Sequence, residues 1–271
     1  MTPPTTGASL FLRDLILKNS AIVLDDQKDY LLQARLGPLI EREGMGTWEE
    51  LVKRLNGPGA QPLKQRVIEA VTTHETSFFR DWHPFEAMQA HILPALAVDS
   101  KTRPIHIWSA AASSGQEVYS LAFLAAQQPG LELNRVRLVA TDISAGILAK
   151  AREARYSQLE VSRGLPARLL VRFFEKQGVE YQIKPEIRRL VEFKLLNLIE
   201  TWPALPDMDV VFLRNVLIYF DVPTKRMIVE RVARAMRKGG YLFLGGVEST
   251  LNLSARFTEV HLGKTTCHRL V

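Results

Sequence analysis

Gly115, Glu117 and Asp142 are the residues whose types and spacing first suggest chemistry. The first two stand in I-H-I-W-S-A-A-A-S-S-G-Q-E-V-Y-S-L-A-F-L-A-A, Ile105 to Ala126, and Asp142 follows 27 residues after the glycine. Ile105 to Trp108 is short, apolar and bounded by Pro104, which predicts a buried strand. From Glu117 onward, Val118, Leu121, Ala122, Leu124 and Ala125 recur at helical spacing. A strand that runs through a tight turn of small residues into a helix is the first unit of a doubly wound α/β sheet. Such sheets bind ligands outside the carboxyl end of that strand. Val136 to Ala140 predicts a second strand with Asp142 just past it, where these folds hold ribose hydroxyls. Asp142 has a competing use as the N-cap of a helix from Ala145 to Arg155. Neither G-x-G-x-x-G nor G-x-x-x-x-G-K-[ST] is present, so nothing is built to cradle a phosphate. That favours a cofactor without phosphate, such as S-adenosylmethionine, over NAD or ATP. The plainer alternative is a strand–helix turn with no ligand.

No Ser-His-Asp or Cys-His constellation is legible. His83, His91, His106 and His261 lack metal-ligand spacing and read as structural. Cys267 is the single cysteine, which excludes an intrachain disulfide and a cysteine metal site and points to a reducing, cytoplasmic setting. No apolar run approaches the roughly 20 residues of a membrane span. Met1 to Ser9 is Thr/Pro-rich, has no basic segment followed by an apolar one, and reads as a disordered tail rather than a signal peptide. A chain of 271 residues, 46% hydrophobic and 24% charged, fits a soluble protein of one large or two small domains. The net charge of +6 is uneven: residues 1–74 carry nine basic and nine acidic side chains, residues 150–194 eleven and six. That excess is modest for a nucleic-acid protein and suits an acidic protein surface or a solvated helical face equally well.

The elements that must position these residues follow from the pattern. Leu10 to Leu17 predicts an amphipathic helix with Phe11, Leu12, Leu15 and Ile16 on one face. Asp25 or Asp26 can cap a second helix that buries Tyr30, Leu31, Ala34 and Ile40, with Gly37-Pro38 kinking or ending it early. Thr47-Trp-Glu-Glu50 is a capping box for a third helix, and Pro62 opens a fourth. Thr72 to Asp81, T-T-H-E-T-S-F-F-R-D, is denser in polar residues than a connector needs. Pro84 opens a helix that buries Phe85, Met88, Ile92 and Leu93. Further on, Leu165 to Phe174 predicts a helix, Gly178 to Ile187 an inserted hairpin, and Val191 to Leu196 a strand ending at Asn197. Asp209 to Leu213 is the most apolar strand and leads into R-N-V-L-I-Y-F-D. A helix opened by Pro223 should end near Arg237 at Gly239-Gly240, before a strand from Tyr241 to Leu244. Phe257 to His261 and Thr265 to Leu270 predict a terminal hairpin.

Four of these stretches resemble, in order, motifs of the bacterial chemotaxis receptor methyltransferases, the CheR family. T-T-H-E-T-S-F-F-R-D resembles T-x-N-x-T-x-F-F-R. The stretch around Gly115 resembles W-S-A-x-x-S-T-G-E-E-P-Y-S. L-R-N-V-L-I-Y-F-D, Leu213 to Asp221, resembles C-R-N-V-x-I-Y-F-D, and L-F-L-G-G-V-E-S resembles L-F-x-G-H-S-E. The departures are His74 for Asn, Ser114 for Thr, Gln116 for the first Glu, Val118 for Pro, and Gly246-Val247 for His-Ser. An imidazole at position 74 can still hydrogen-bond.

The resemblance implies an α/β fold. It comprises a small all-α N-terminal domain (residues 10–74), a linker and connecting helix (75–100), and a Rossmann-like, seven-stranded class I S-adenosylmethionine-dependent methyltransferase domain (101–271) with an inserted β-subdomain near 176–190. It implies methyl transfer from S-adenosylmethionine to glutamate side chains of chemoreceptors, without a metal. His74, Thr76 and Arg80 would line the cofactor and active site. Glu117 and Asp142 would hold the methionine amine and the ribose. Asn197 with Leu198, and Asn215 with Val216, would contact the adenosine end. Arg80 and Tyr219 would face the reacting methyl. The partners implied are the cytoplasmic domains of membrane chemoreceptors, docked through the N-terminal module. Nucleic acid and membrane insertion are not expected, and the protein is expected to act as a cytoplasmic monomer. Some relatives bind a receptor C-terminal pentapeptide through a glycine-rich loop. Here Lys176 to Ile183 holds only Gly178, so docking is expected to be independent of that pentapeptide. Two other readings remain open at this point: a methyltransferase acting on RNA or a small molecule, and a non-catalytic receptor-binding module that senses S-adenosylmethionine.

Overall fold

The computed structural model describes residues 3–25 and 29–271. It divides into two compact units, one comprising residues 1–73 with 219–224, the other 74–218 with 225–271.

The first unit is helical: α1 (Thr6–Ser20), α2 (Asp29–Arg42), α3 (Trp48–Leu55) and α4 (Gln61–Val71). Residues 6–9 are helical, contrary to the expected tail, because Thr5 accepts from the Ala8 N–H and Ala8 and Ser9 are buried. Asp26, one of two expected caps for α2, lies outside the described residues. The buried face of α2 is Leu32, Leu36, Leu39 and Ile40, one step round from the expected one, so Tyr30 stays 64% exposed. Gly37-Pro38 neither ends nor shortens α2, which runs four residues beyond the proline. Thr47 caps α3 as expected, but the Glu50 carboxylate reaches back to the Gly46 N–H at 3.1 Å.

The second unit begins with α5 (His83–Ala87), a π-helical turn (Met88–Ile92) and α6 (Leu93–Asp99), burying Phe85, Met88, Ile92 and Leu93. Then follow β1 (Ile105–Ala110), α7 (Gln116–Gln127), β2 (Val136–Asp142), α8 (Ala145–Glu153), β3 (Arg155–Ser157), α9 (Gln158–Ser162), α10 (Ala167–Phe173), β4 (Phe174–Gln177), β5 (Glu180–Ile183), α11 (Pro185–Arg188) and β6 (Val191–Leu195). The chain ends with β7 (Met208–Leu213), α12 (Val222–Ala235), β8 (Met236–Leu244), β9 (Phe257–Leu262) and β10 (Thr265–Leu270). The main sheet has seven strands in the order β6-β2-β1-β7-β8-β10-β9, parallel through β8 and antiparallel thereafter. A second, antiparallel sheet has the order β3-β5-β4.

Two elements differ from expectation. Gly239-Gly240 lies inside β8 rather than at a helix end. β8 starts at Met236 and bulges opposite Asp209, and a Cβ at Gly240 would stand 2.9 Å from the Asp209 and Arg237 carbonyl oxygens. The inserted hairpin is β4–β5, widened by β3, whose three residues pair with Glu180 to Gln182. Both sheets pack about one aromatic core in which Phe78, Phe123, Tyr156 and Phe174 meet at ring-centroid distances of 5.0–6.5 Å.

Since β6, β2, β1, β7 and β8 are parallel, their carboxyl ends form one edge. That edge brings Asn197, Asp142, the Ala111–Gly115 turn, Asn215 and Gly245 to the same side of the sheet.

Candidate cofactor and active site

The turn after β1 is strained by design. Ala111, Ser113 and Gly115 all have positive φ (59°, 53° and 94°). Non-glycine residues in this region cost on the order of 1–3 kcal/mol each and persist where surrounding contacts hold them. Here the holding group is Asp142. Its Oδ2 accepts from the Ser113 N–H at 2.9 Å and its Oδ1 from the Ser144 N–H at 3.0 Å. The Asp142 side chain does not cap α8; Ser144 does, accepting from Ile147. Burial pushes the Asp142 carboxyl above its usual range, opposed by the Ser144 and Ser113 N–H donors and by His74. A carboxylate has about four lone-pair directions, and the backbone donors of Ser113, Ile143 and Ser144 leave room for one further hydroxyl.

Glu117, in the first turn of α7, is gripped from two sides. Its Oε1 accepts from Ser109 Oγ at 2.7 Å and its Oε2 from Arg214 Nη1 at 3.1 Å. Arg214 also donates to Asp81 Oδ2 at 2.6 Å and to the Arg80 carbonyl at 3.1 Å, with its Cζ 5.8 Å from the Phe85 ring centre. The T-x-x-x-x-F-F-R-D-W segment thereby docks against the end of β7. Phe79, Asp81 and Trp82 within it all have positive φ.

The remaining candidates fall into place around these two carboxylates. His74 offers its carbonyl to Ser113 Oγ at 2.8 Å, and its Nδ1 is buried without a partner. Thr76 is half-buried two residues on. The Arg80 guanidinium donates to the Glu75 carbonyl at 3.0 Å and pairs with no carboxylate among the described residues. Asn197 binds Glu200 Oε1 and the Ile199 N–H, and Leu198 is buried beside it. Asn215, at φ 57°, gives its N–H to Glu248 Oε2 at 2.7 Å, and its Oδ1 is buried without a partner; Val216 is half-buried next to it. All of these belong to the second unit. Tyr219 closes a 3₁₀ turn, Leu217–Tyr219, and groups with the helical unit, where its carbonyl accepts from the Val23 N–H at 3.1 Å.

Four further residues shape this edge: Arg214, Asp81, Ser109 and Glu248. Arg214 and Glu248 stand inside the resembling motifs, but their partners lie 97 and 33 positions away, which no local pattern reports. Glu248 also accepts from the Gly245 N–H at 2.6 Å and so ties the turn after β8 to the start of the turn after β7.

The donor set matches an adenosine cofactor that carries no phosphate. Among the described residues it offers a buried acid at the end of β2, orphaned polar atoms on His74 and Asn215, and one buried arginine, Arg214, already neutralised by Glu117 and Asp81. Among the described residues no cluster of His, Cys, Asp or Glu could hold a metal ion. Residues 74–265 match the family model described as CheR methyltransferase, SAM binding domain, and residues 10–72 match CheR methyltransferase, all-alpha domain.

The chain belongs to the CheR methyltransferase family. It is 38% identical to chemotaxis protein methyltransferase 1 of Pseudomonas aeruginosa over 262 residues, 95% of each chain. It is 40% identical to chemotaxis protein methyltransferase 1 of Vibrio cholerae over 255 residues, covering 92% of this chain and 91% of that one. It is 36% identical to a chemotaxis methyltransferase of Pseudomonas putida over 92% of each. As a CheR methyltransferase this chain binds S-adenosylmethionine.

Proposed function

We propose that this enzyme esterifies glutamate side chains on the cytoplasmic domains of membrane chemoreceptors. The observation that carries this reading is the state of Arg80. The acids near it in sequence are engaged elsewhere: Glu75 by Arg163, Asp81 by Arg214, Glu86 by His83. Arg80 itself has no carboxylate partner among the described residues, and a planar guanidinium fork binds an incoming carboxylate in two-point fashion. A glutamate with pKa near 4.3 is already an anion at neutral pH, so no general base is required. S-adenosylmethionine, when bound, supplies an electrophilic methyl group and departs as S-adenosylhomocysteine. The chain's work is positioning. Asp142 and Asn215 orient the adenosine, Glu117 the amine, and Arg80 the acceptor carboxylate, with Tyr219 assigned to the reacting centre by its motif.

The enzyme acts as a monomer in the cytoplasm and docks on its receptor through the all-α domain, independently of a receptor C-terminal pentapeptide. No helix among the described residues is long and apolar enough to cross a membrane. The test is methyl transfer from labelled S-adenosylmethionine to a panel of receptor signalling domains, with RNA as the competing substrate. Base-labile label on receptor glutamates supports the assignment; label on RNA, or cofactor binding with no turnover on any receptor, sinks it. Arg80→Ala should lower turnover by at least about tenfold, the worth of about 1.4 kcal/mol of transition-state positioning, while leaving the melting temperature nearly unchanged.

A further inference from the structure

The loop between β6 and β7, residues 196–207, carries Asn197 and Leu198 at its start and has no helix or strand of its own. Its length is at the upper end of what compact domains commonly use, beyond which loops without regular structure are usually functional or linkers. Its first residue is tied to the cofactor edge, because the Leu196 N–H donates to the Asp142 carbonyl at 3.0 Å. The rest is held by two side chains. Arg231, on α12, directs Nη1 at three successive carbonyl oxygens, those of Leu198 at 3.4 Å, Ile199 at 3.2 Å and Glu200 at 2.6 Å. Trp202 donates Nε1–H to the same Leu198 carbonyl at 3.2 Å. The two support each other, with the Arg231 Cζ 5.9 Å from the Trp202 ring centre.

Both ends of this clamp rest on rigid ground. Trp202 packs edge-on against Trp108 of β1 at 5.3 Å, and Trp108 donates to Thr141 Oγ1, one residue before Asp142, at 3.0 Å. On the other side, α12 is anchored by the buried Ile228, Val229 and Val232. A cavity of about 350 Å³ lined by Thr201, Pro203, Leu205 and Arg234 opens beside the Trp202–Arg231 pair, so little else braces it on that side. Arg231 pairs with no carboxylate among the described residues. Its charge is spent on backbone carbonyls of the very segment that carries Asn197 and Leu198.

We propose that Arg231 and Trp202 are positioning residues for the adenosine end of S-adenosylmethionine, acting through the backbone of Leu198 to Glu200. This rests on the reading that Asn197 and Leu198 contact adenosine. Arg231 touches no reacting atom, so its loss should be felt in cofactor affinity and not in the chemical step.

The experiment compares Arg231→Ala, Arg231→Lys, Trp202→Phe and Asn197→Ala with wild type. Calorimetry measures the Kd for S-adenosylhomocysteine, and steady-state assays measure KM and kcat. Losing a cationic donor shared by three carbonyls should raise Kd and the S-adenosylmethionine KM together by about tenfold, with kcat at saturation within about twofold. Arg231→Lys keeps a cation within reach of one carbonyl and should recover part of the loss. Trp202→Phe keeps an aromatic ring, removes the Nε1–H bond to Leu198 together with the five-membered ring, and should give a smaller rise, which preserves the test if Arg231→Ala fails to fold. An unchanged Kd in folded Arg231→Ala and in Trp202→Phe, with Asn197→Ala weakened, overturns the clamp alone. An unchanged Kd in Asn197→Ala as well overturns the placement of adenosine at this segment. A fall in kcat with constant Kd also overturns the clamp.

Discussion

Arg214 meets Glu117 at 3.1 Å across 97 positions of sequence, with its side chain only 2% exposed. The same guanidinium holds Asp81, so one buried cation joins the end of β7, the first turn of α7 and the segment that carries Arg80. Removing one partner of a buried ion pair leaves an uncompensated charge. Arg214→Met should therefore cost about 3–5 kcal/mol of stability, read as a lower urea midpoint at constant slope. Adding Glu117→Gln should return part of that loss, because the two residues share one network. Full additivity of the two changes would show that the pair is not coupled.

Asp142 faces opposite demands from folding and binding. Burial raises its folded pKa above the unfolded value of 3.8. Its contribution to stability is therefore greatest below pH 3.8 and declines as pH rises from there through the raised folded value. Hydrogen bonds to ribose need the ionised form, so cofactor affinity should fall as pH drops through that raised value, earlier than for an ordinary aspartate. Calorimetry of S-adenosylhomocysteine binding across acidic pH checks this. Asp142→Asn should bind weakly throughout and lose the pH step. A step retained in the variant would assign the titration to another group.

The parts of this site that were legible in the sequence are local. Ile105 to Glu117 announces a strand, turn and helix by itself, and Asp142 stands where the second strand must end. The parts that were not legible depend on distant partners. Gly239-Gly240 reads as a helix stop, yet it forms a strand bulge because only a residue without Cβ fits against the Asp209 carbonyl. The three residues of β3 are too few to show a period and are a strand only because β5 lies beside them. Arg214 stands within a legible motif, but its binding of Glu117 and Asp81 is a fact of tertiary packing.

Gly164 offers a test of how the segment preceding Arg80 is seated. It has φ +87°, and a Cβ there would lie 2.1 Å from the Phe78 carbonyl oxygen. Positive φ alone costs a residue with a Cβ about 1–2 kcal/mol, and the clash with Phe78 adds to it. Gly164→Ala should therefore lower stability by more than Gly178→Ala, whose φ is +64° but whose Cβ would meet nothing within 4 Å. Displacing Phe78 should also reduce methyl transfer, since Arg80 follows two residues later. Equal melting temperatures for the two variants would refute the close approach.

The small sheet β3-β5-β4 offers only short edges. A receptor tether that adds a strand needs a sheet edge with unpaired backbone groups and pockets for alternate side chains. Here β5 is central, so only β3 and β4 present edges, with three and four residues respectively. β3 runs straight into α9, whose capping box on Ser157 and Glu160 fixes the chain where a longer edge would continue. The β4–β5 turn has one glycine, Gly178, beside a Val179 that is 86% exposed, so it has little backbone freedom to fold over a peptide. Four ladder residues make a weak dock. A pentapeptide matching the tether should therefore show no binding at micromolar concentration by calorimetry. Trimming the receptor C-terminus should change the methylation rate by less than about twofold, equivalent to about 0.4 kcal/mol. Micromolar binding, lost on deleting Gly178 and Val179, would show that the short edge suffices and that docking is tethered after all.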